Sequence, residues 1–447
     1  MIDWERVGRE AADFLSQLIQ VDTSNPPGIT TEAAELVADK LDEVGVKYEI
    51  ITPKDGKTSL VARVKGGEGP KLLLLSHLDV VPAKEEDWRY PPFSGRILDN
   101  YVWGRGAIDD KGHVAVELFA LLQLLQRDVE LRGDIIFAAT ADEEVGGTYG
   151  VRWIVENEPS KLEAEYAINE GGGLGVKLSK GTIFSIQTSE KGVYWFKMRF
   201  LGRPGHASMP KSGENAIMKM NKFLTRMERR ETPLYIHEHV RRYIRSLGKA
   251  SGKGFFSRML TSKGVSKYAL KMVEKWDKSI AIMLDAMMKN TIAPTVVKGG
   301  TKENIIPDEV ELRFDCRLLP GFDEKFVEEY VKKVAGDIDY QLEFIHTQPA
   351  SFSELDTPLY KAIERTLGEN IKDAILAPYL STGATDSRFI RWKYNTCAYG
   401  FHPILADMKL AEFLKMVHGV DERISVKNIE FGAKITYEVL EEFIITK

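Results

Sequence analysis

The sequence predicts an α/β protein in which a mostly parallel sheet forms one domain and a smaller α+β domain is inserted into it. Three observations predict this. In residues 1–188, near-continuous apolar runs such as 72–75 and 134–139 alternate with helical patterns, as in βαβ units with a sheet buried on both faces. Between about 189 and 348 the strand-like segments alternate apolar and polar residues, which suits a sheet with one wet face. From 349 to 447 the first texture returns, so the chain leaves one domain and comes back to it. A chain of 447 residues is in any case too long for a single ordinary core.

In chain order, residues 3–20 place Trp4, Val7, Ala11, Phe14, Leu15 and Leu18 at helical spacing. Asn25-Pro26-Pro27-Gly28 breaks that pattern, and Thr31 resembles the N-cap of a second helix that ends near Gly45. Strands are expected at 48–51, 59–64, 71–75, 134–139 and 164–168, with helices at 115–125 and 151–156. Within the insertion, strands at 193–201, 310–317 and 341–345 accompany helices at 215–229 and 323–335. A helix at 358–367, a strand at 396–399 and a final helix at 426–445 complete the first domain.

The stretch 237–278 stands apart. It holds eleven lysines and arginines against three acids, and Gly248, Gly252, Gly254 and Gly264 interrupt its helical signal. Such a cluster can bind phosphates or anionic membranes, and a solvated helical insertion has the same pattern.

Composition narrows the function classes. With 43% hydrophobic and 28% charged residues the chain reads as soluble and globular. A net charge of −5 argues against a nucleic-acid partner. No run of about 18 apolar residues suggests a membrane span. The N-terminal MIDWERVGREAADFL lacks the apolar core of a signal peptide, so a cytoplasmic protein is expected. Cys316 and Cys397 form neither a disulfide framework nor a CxxC pair. There is no GxxxxGK[ST] phosphate loop and no GxSxG nucleophile elbow.

What remains is a set of acids and histidines behind strand candidates. In His77-Leu78-Asp79, residues i and i+2 of an extended segment face one side, so His77 can ligate a metal while Asp79 supports it. Asp109 and Asp110 follow Gly104 and Gly106, which allow the sharp turn needed to present a carboxylate to two cations. Glu143 and Glu144 are neighbours whose side chains part in extended chain, so one can bind a metal while the other faces substrate and water. Glu170 precedes a glycine run, and His402 follows the late strand. Ligand sites in open α/β sheets lie beyond the carboxyl ends of strands. Two histidines and three carboxylates suit a pair of zinc-like ions better than calcium or magnesium.

The ordered motifs SHLDVVP, GRGAIDDKG, ADEEVGG, NEGGG, GRPGHASMP and GFHP resemble the aminoacylase/carboxypeptidase family of dinuclear zinc hydrolases. That family includes acetylornithine deacetylase, succinyl-diaminopimelate desuccinylase, aminoacylase, glutamate carboxypeptidase and several dipeptidases. The resemblance implies two divalent ions, zinc with cobalt or manganese as alternatives. His77, Asp109 and Glu170 would hold one, and Asp109, Glu144 and His402 the other, with Asp109 bridging and a cis peptide before Asp110. Glu143 would be the general base, and Asp79 would orient His77. His206 would be the lid histidine that reaches the scissile carbonyl oxygen, often from a partner subunit, and Asn304 would lie near the substrate. Arg388 offers a bidentate fork for a substrate carboxylate, and Gly383 a backbone contact. His113, His237, His239, His346 and His418 match no ligand of the pattern and are expected to be structural or exposed.

The insertion would be a lid or dimerisation domain, lengthened here by the basic stretch, and the protein a homodimer through it. The expected activity is cleavage of the amide bond of small N-acyl amino acids by metal-activated water with a glutamate base. Carboxypeptidase or dipeptidase action on short peptides is the alternative within the class. A non-catalytic binding protein on the same scaffold is the alternative of another class.

Overall fold

The computed structural model describes residues 2–127, 129–276, 278–408 and 410–445. Its centre is the strand Leu72–His77, whose four leucines are completely buried. Ile135–Thr140 and Tyr166–Asn169 flank it in parallel, and Cys397–Gly400 runs parallel to the latter. These strands sit in a ten-stranded mixed sheet. One antiparallel edge is the hairpin of Tyr48–Lys54 and Lys57–Val64. Toward the other edge, Gly181–Glu190 runs antiparallel to Cys397–Gly400 and parallel to Ala374–Ser381. The α/β class with parallel central strands is therefore as expected.

The all-apolar central strands need cover on both faces. On one side Lys111–Leu125, buried nearly throughout, packs between Trp4–Gln20 and Val426–Ile444. On the other, Val151–Asn157 and Ser387–Tyr394 close a second core around Leu73, Leu75, Ile136 and Ala138. The strand Ala374–Ser381 was not expected from its sequence. Pro378 interrupts the pattern there, and a proline is tolerated where no ladder hydrogen bond is demanded of it.

The chain passes from the large sheet to a second one between Glu190 and Gly192 and returns between Gln348 and Ser351. This sheet has four antiparallel strands in the order Thr291–Gly299, Glu309–Leu318, Gly192–Leu201, Tyr340–Gln348. Glu309–Leu318 buries every second residue. Phe196, Phe200 and Phe314 from the inner face pack under the helices Ala216–Glu228 and Glu324–Ala335.

The basic stretch forms the helices Glu238–Ala250, Gly254–Leu260, Ser266–Trp276 and, beyond it, Lys278–Met288. Chain order puts them inside the inserted segment, but their packing puts them on the large sheet. Val240, Tyr243, Ile244 and Leu247 make an i, i+3, i+4, i+7 stripe. That stripe meets Ile183, Ala377 and Leu380 of the sheet. Arg242 pairs with Asp356 at 2.7 Å, and His239 Nδ1 lies 2.6 Å from Thr188 Oγ1. No helix among the described residues is long and apolar enough to cross a membrane.

Candidate metal centre

His77 ends the central strand, with its ring buried. Its Nδ1 lies 2.9 Å from the main-chain oxygen of Asp79. A carbonyl can only accept, so Nδ1 carries the proton and Nε2 is left to face Asp109 Oδ1 at 3.2 Å and Glu170 Oε1 at 3.9 Å. Burial alone would lower the His77 pKa, but the facing carboxylates outweigh it and raise it well above the usual imidazole value.

Asp109 faces two ways. Its Oδ1 looks to His77, and its Oδ2 lies 3.0 Å from His418 Nε2. The same nitrogen lies 3.2 Å from Glu144 Oε2. Two groups of ligating atoms result, His77–Asp109–Glu170 and Asp109–Glu144–His418, each with its atoms within 4.8 Å of one another. Despite burial, the two histidines hold the Asp109 carboxyl far below the usual range, and hydrogen bonds to Asp109 and Glu144 push His418 up to about 10.

The loop carrying Asp109 is fixed from below by Glu422, which is fully buried. Its carboxylate accepts from the backbone N–H of Gly106 (3.1 Å), Ile108 (2.7 Å) and Asp109 (3.1 Å) and from Arg105 Nη1 (2.7 Å). The Asp109–Asp110 peptide is cis. Asp110 accepts from the His77 N–H at 3.1 Å and stands at the N-cap position of the helix Lys111–Leu125 without a side-chain hydrogen bond to it; burial pushes its carboxyl up to about 7.

Glu143 and Glu144 begin a tight turn entered through Asp142, whose φ is +72°. Lys57 holds the Asp142 carboxylate at 2.6 Å. Asp79 contributes here in an unexpected way. Its carboxylate stands 3.7 Å from His77 Nδ1 and instead accepts from the N–H groups of Glu143 (3.0 Å) and Glu144 (3.2 Å) and from Asn25 Nδ2 (2.7 Å). The main chain of Asp79 orients the histidine, while its side chain pins the turn. Within that turn Glu144 reaches His418, whereas Glu143 lies in the field of His77, Asp386 and Arg388. Burial raises the Glu143 carboxyl well above the carboxylate range, as it does for Glu170.

Glu170 follows the strand Tyr166–Asn169. The next residue favours glycine: Gly171 has φ +100°, and a Cβ there would displace the Gln187 side chain, whose Oε1 would stand 1.6 Å away.

The expected ligand His402 belongs to neither group. After Cys397–Gly400 the chain turns with Phe401 N–H donating to Asn169 O and His402 N–H to Gly172 O. That turn lays the His402 ring on His113, with centroids 4.6 Å apart, and burial lowers both imidazoles to about 3. The position facing Asp109 and Glu144 is taken by His418. It follows the helix Leu410–Met416 with φ +56°, just before Gly419. The sequence signal for it was a helix-ending His-Gly followed by Asp421-Glu422-Arg423, in which Glu422 returns to the Asp109 loop.

His206 and Asn304 stand together on a short ribbon pairing Gly205–His206 with Ile305–Ile306. His206 is exposed, its Nδ1 accepts from the Ser208 N–H at 3.2 Å, and Ala207 N–H donates to Asn304 O. These hydrogen bonds stay within the ribbon and its turn. Gly383 N–H donates to Ser381 Oγ at 3.1 Å. Arg388 is buried, donates from Nη1 to Thr385 O at 2.9 Å and lies over the Phe389 ring, with Nε unpartnered among the described residues. Its loop is clamped by buried Glu190, which accepts from the Thr385 N–H and hydroxyl and pairs with Arg391 at 2.7 Å. Asp386, which the sequence reading passed over, has both carboxylate oxygens buried without a hydrogen-bond partner among the described residues.

The donor set fits two divalent cations. Nε2 of His77 offers a lone pair to two carboxylates, a repulsive arrangement unless a cation or a proton lies between them. Glu144 Oε1 is buried without a hydrogen-bond partner among the described residues. Ligand atoms on a tetrahedral ion with bonds of ~2 Å stand roughly 3.3 Å apart, close to the separations around Asp109. Two candidate ion sites that share Asp109 beyond the ends of parallel strands, with the half-buried carboxylate of Glu143 beside them, suit a metal-dependent hydrolase.

The chain belongs to peptidase family M20/M25/M40, whose family profile matches residues 73–442. It is 28% identical over 385 residues to probable carboxypeptidase S-like 2 of Dictyostelium discoideum, covering 83% of this chain and 71% of that one. It is 29% identical to human N-fatty-acyl-amino acid synthase/hydrolase PM20D1, covering 84% and 75% of the two chains. The fold is similar to the M20 family metallo-carboxypeptidase Sso-CP2 of Sulfolobus solfataricus, with TM-score 0.69, 19% identity and coverage of 97% and 99%. As a member of this family the protein is a metal-dependent amidohydrolase or metallopeptidase.

Proposed function

We propose that the protein hydrolyses the amide bond of small N-acyl amino acids at a two-metal centre. One ion is held by His77, Asp109 and Glu170, and the other by Asp109, Glu144 and His418. The observation that supports this most is the two-sided Asp109 carboxylate, one oxygen toward each histidine. The nitrogen and carboxylate donors favour zinc, with cobalt or manganese as substitutes. When bound, such ions acidify water and polarise the scissile carbonyl.

The residues supply the rest. Glu143, free of either ligand group, accepts the proton of the attacking water and delivers it to the leaving amine. Burial suits a carboxyl that must hold a proton between those two steps. Asp79 keeps Glu143 in place through its N–H. His206, with Nδ1 accepting from Ser208, has Nε2 as its donor for the carbonyl oxygen, and Asn304 lies beside it on the ribbon. Arg388 and the Gly383 loop, on the Glu143 side, receive the carboxylate of the amino acid. A homodimer through the four-stranded sheet is part of the reading: its edge strand Thr291–Gly299 is exposed, with Val296 and Val297 facing out.

Short peptides are the second reading, favoured by the carboxypeptidase names among the relatives. The test is hydrolysis of a panel of N-acyl amino acids and dipeptides with added zinc, cobalt or manganese. Faster cleavage of acyl amino acids is expected. Cleavage of dipeptides alone would move the assignment to a peptidase, and no cleavage by the metal-loaded protein would leave a binding protein.

A further inference from the structure

A cavity of about 250 Å³ opens directly from the cluster. Asp109, Asp110, Glu170 and His402 line it where it meets the cluster, Ser185 and two tyrosines add hydroxyls, and the other side chains of the wall are apolar. Val176 and Ile183 come from the large sheet, Tyr243 from the basic insertion, Met283 from the helix Lys278–Met288 that follows it, and Phe413 and Leu414 from the helix before His418. No lysine or arginine is among its described lining residues, so no permanent cation there would neutralise a succinyl group or an acidic side chain. Arg388 is not among the lining residues and couples instead to Glu143. The two sides of the scissile bond therefore meet different chemistry, a cation on the Glu143 side and an apolar chamber on the Asp109–Glu170 side.

We propose that this cavity is an acyl-chain pocket, which takes an unbranched aliphatic acyl group, and that Tyr243 and Met283 set its length. The proposal rests on the amidohydrolase reading above and names its substrate class. A cavity of ~150 Å³ lined by Leu, Ile and Phe holds a six-carbon ring, so this one has room for roughly ten carbons. Burial of one methylene is worth about fourfold in specificity. The insertion, which chain order assigns to the inserted segment, then acts as a wall of the substrate site on the large sheet.

The test uses the full-length, metal-loaded protein and one amino acid acylated with even chains from acetyl to palmitoyl. The expected kcat/KM rises at least about a hundredfold between acetyl and octanoyl and levels off near ten carbons. Met283→Trp shifts the optimum to shorter chains, and Met283→Ala to longer ones. Binding of free decanoate and acetate is measured in parallel by calorimetry, so that a poorly folding variant does not decide the matter. Tighter binding of decanoate with a negative heat-capacity change is expected. Equal cleavage of acetyl and decanoyl substrates, or equal binding of the two acids, overturns the pocket while leaving the deacylase reading intact. Cleavage of dipeptides with no acyl amino acid accepted at any length overturns both.

Discussion

The two halves of the metal cluster are built differently. The His77 half rests on ends of buried parallel strands: His77 closes Leu72–His77, and Glu170 follows Tyr166–Asn169. The His418 half is borrowed from a loop more than three hundred residues from Asp109 in sequence, with its histidine 54% exposed against 2% for His77. One half is held by the ladder hydrogen bonds of the parallel strands. The other is held by a returning hydrogen-bond clamp, in which Glu422 grips the backbone that presents Asp109. Asp109, which both candidate groups share, thus joins two kinds of support, and its own loop is fixed by the second.

Asp109→Ala tests that link with the largest expected effect. Both ions should be lost together, and turnover should fall to background, as read by metal content and hydrolysis on the same sample. Retention of one ion at full occupancy would show that the halves are independent. Glu143→Gln separates chemistry from binding. It should keep both ions and lose about 10²–10⁴ in kcat, the range for a general acid–base group. Near-normal turnover would remove Glu143 from that role. Glu422→Gln probes the clamp alone. Metal affinity should fall by about 10–100-fold, the usual cost of altering a residue that supports a metal ligand. The effect should be larger at the His418 half, measured by competition with a chelator. Unchanged affinity at both sites would mean that the Asp109 loop holds itself.

The same contrast explains what could be read from the sequence. That His77, Asp109, Glu144 and Glu170 would come together was legible because each lies behind a strand or a glycine-rich turn, and strand ends are where α/β sheets place ligands. That rule pointed to His402, which does follow a strand, and missed His418, which follows a helix. The left-handed backbone at His418 and the return of Glu422 are long-range facts with no local periodicity. The basic insertion misled in a similar way. Its amphipathic stripe was visible, but which sheet it would cover was not, because Ile183, Ala377 and Leu380 lie on either side of it in the chain. Asp79 shows the limit of a face rule: residue i+2 does sit beside His77, yet its main chain orients the ring and its side chain serves the next turn.

The central claim, that His418 rather than His402 completes the cluster with Asp109 and Glu144, is tested most directly by counting metal ions in His418→Ala and His402→Ala prepared side by side. His418→Ala is expected to keep about one ion per chain and His402→Ala two. One ion in His402→Ala and two in His418→Ala would contradict the account and restore the strand-end histidine as the ligand.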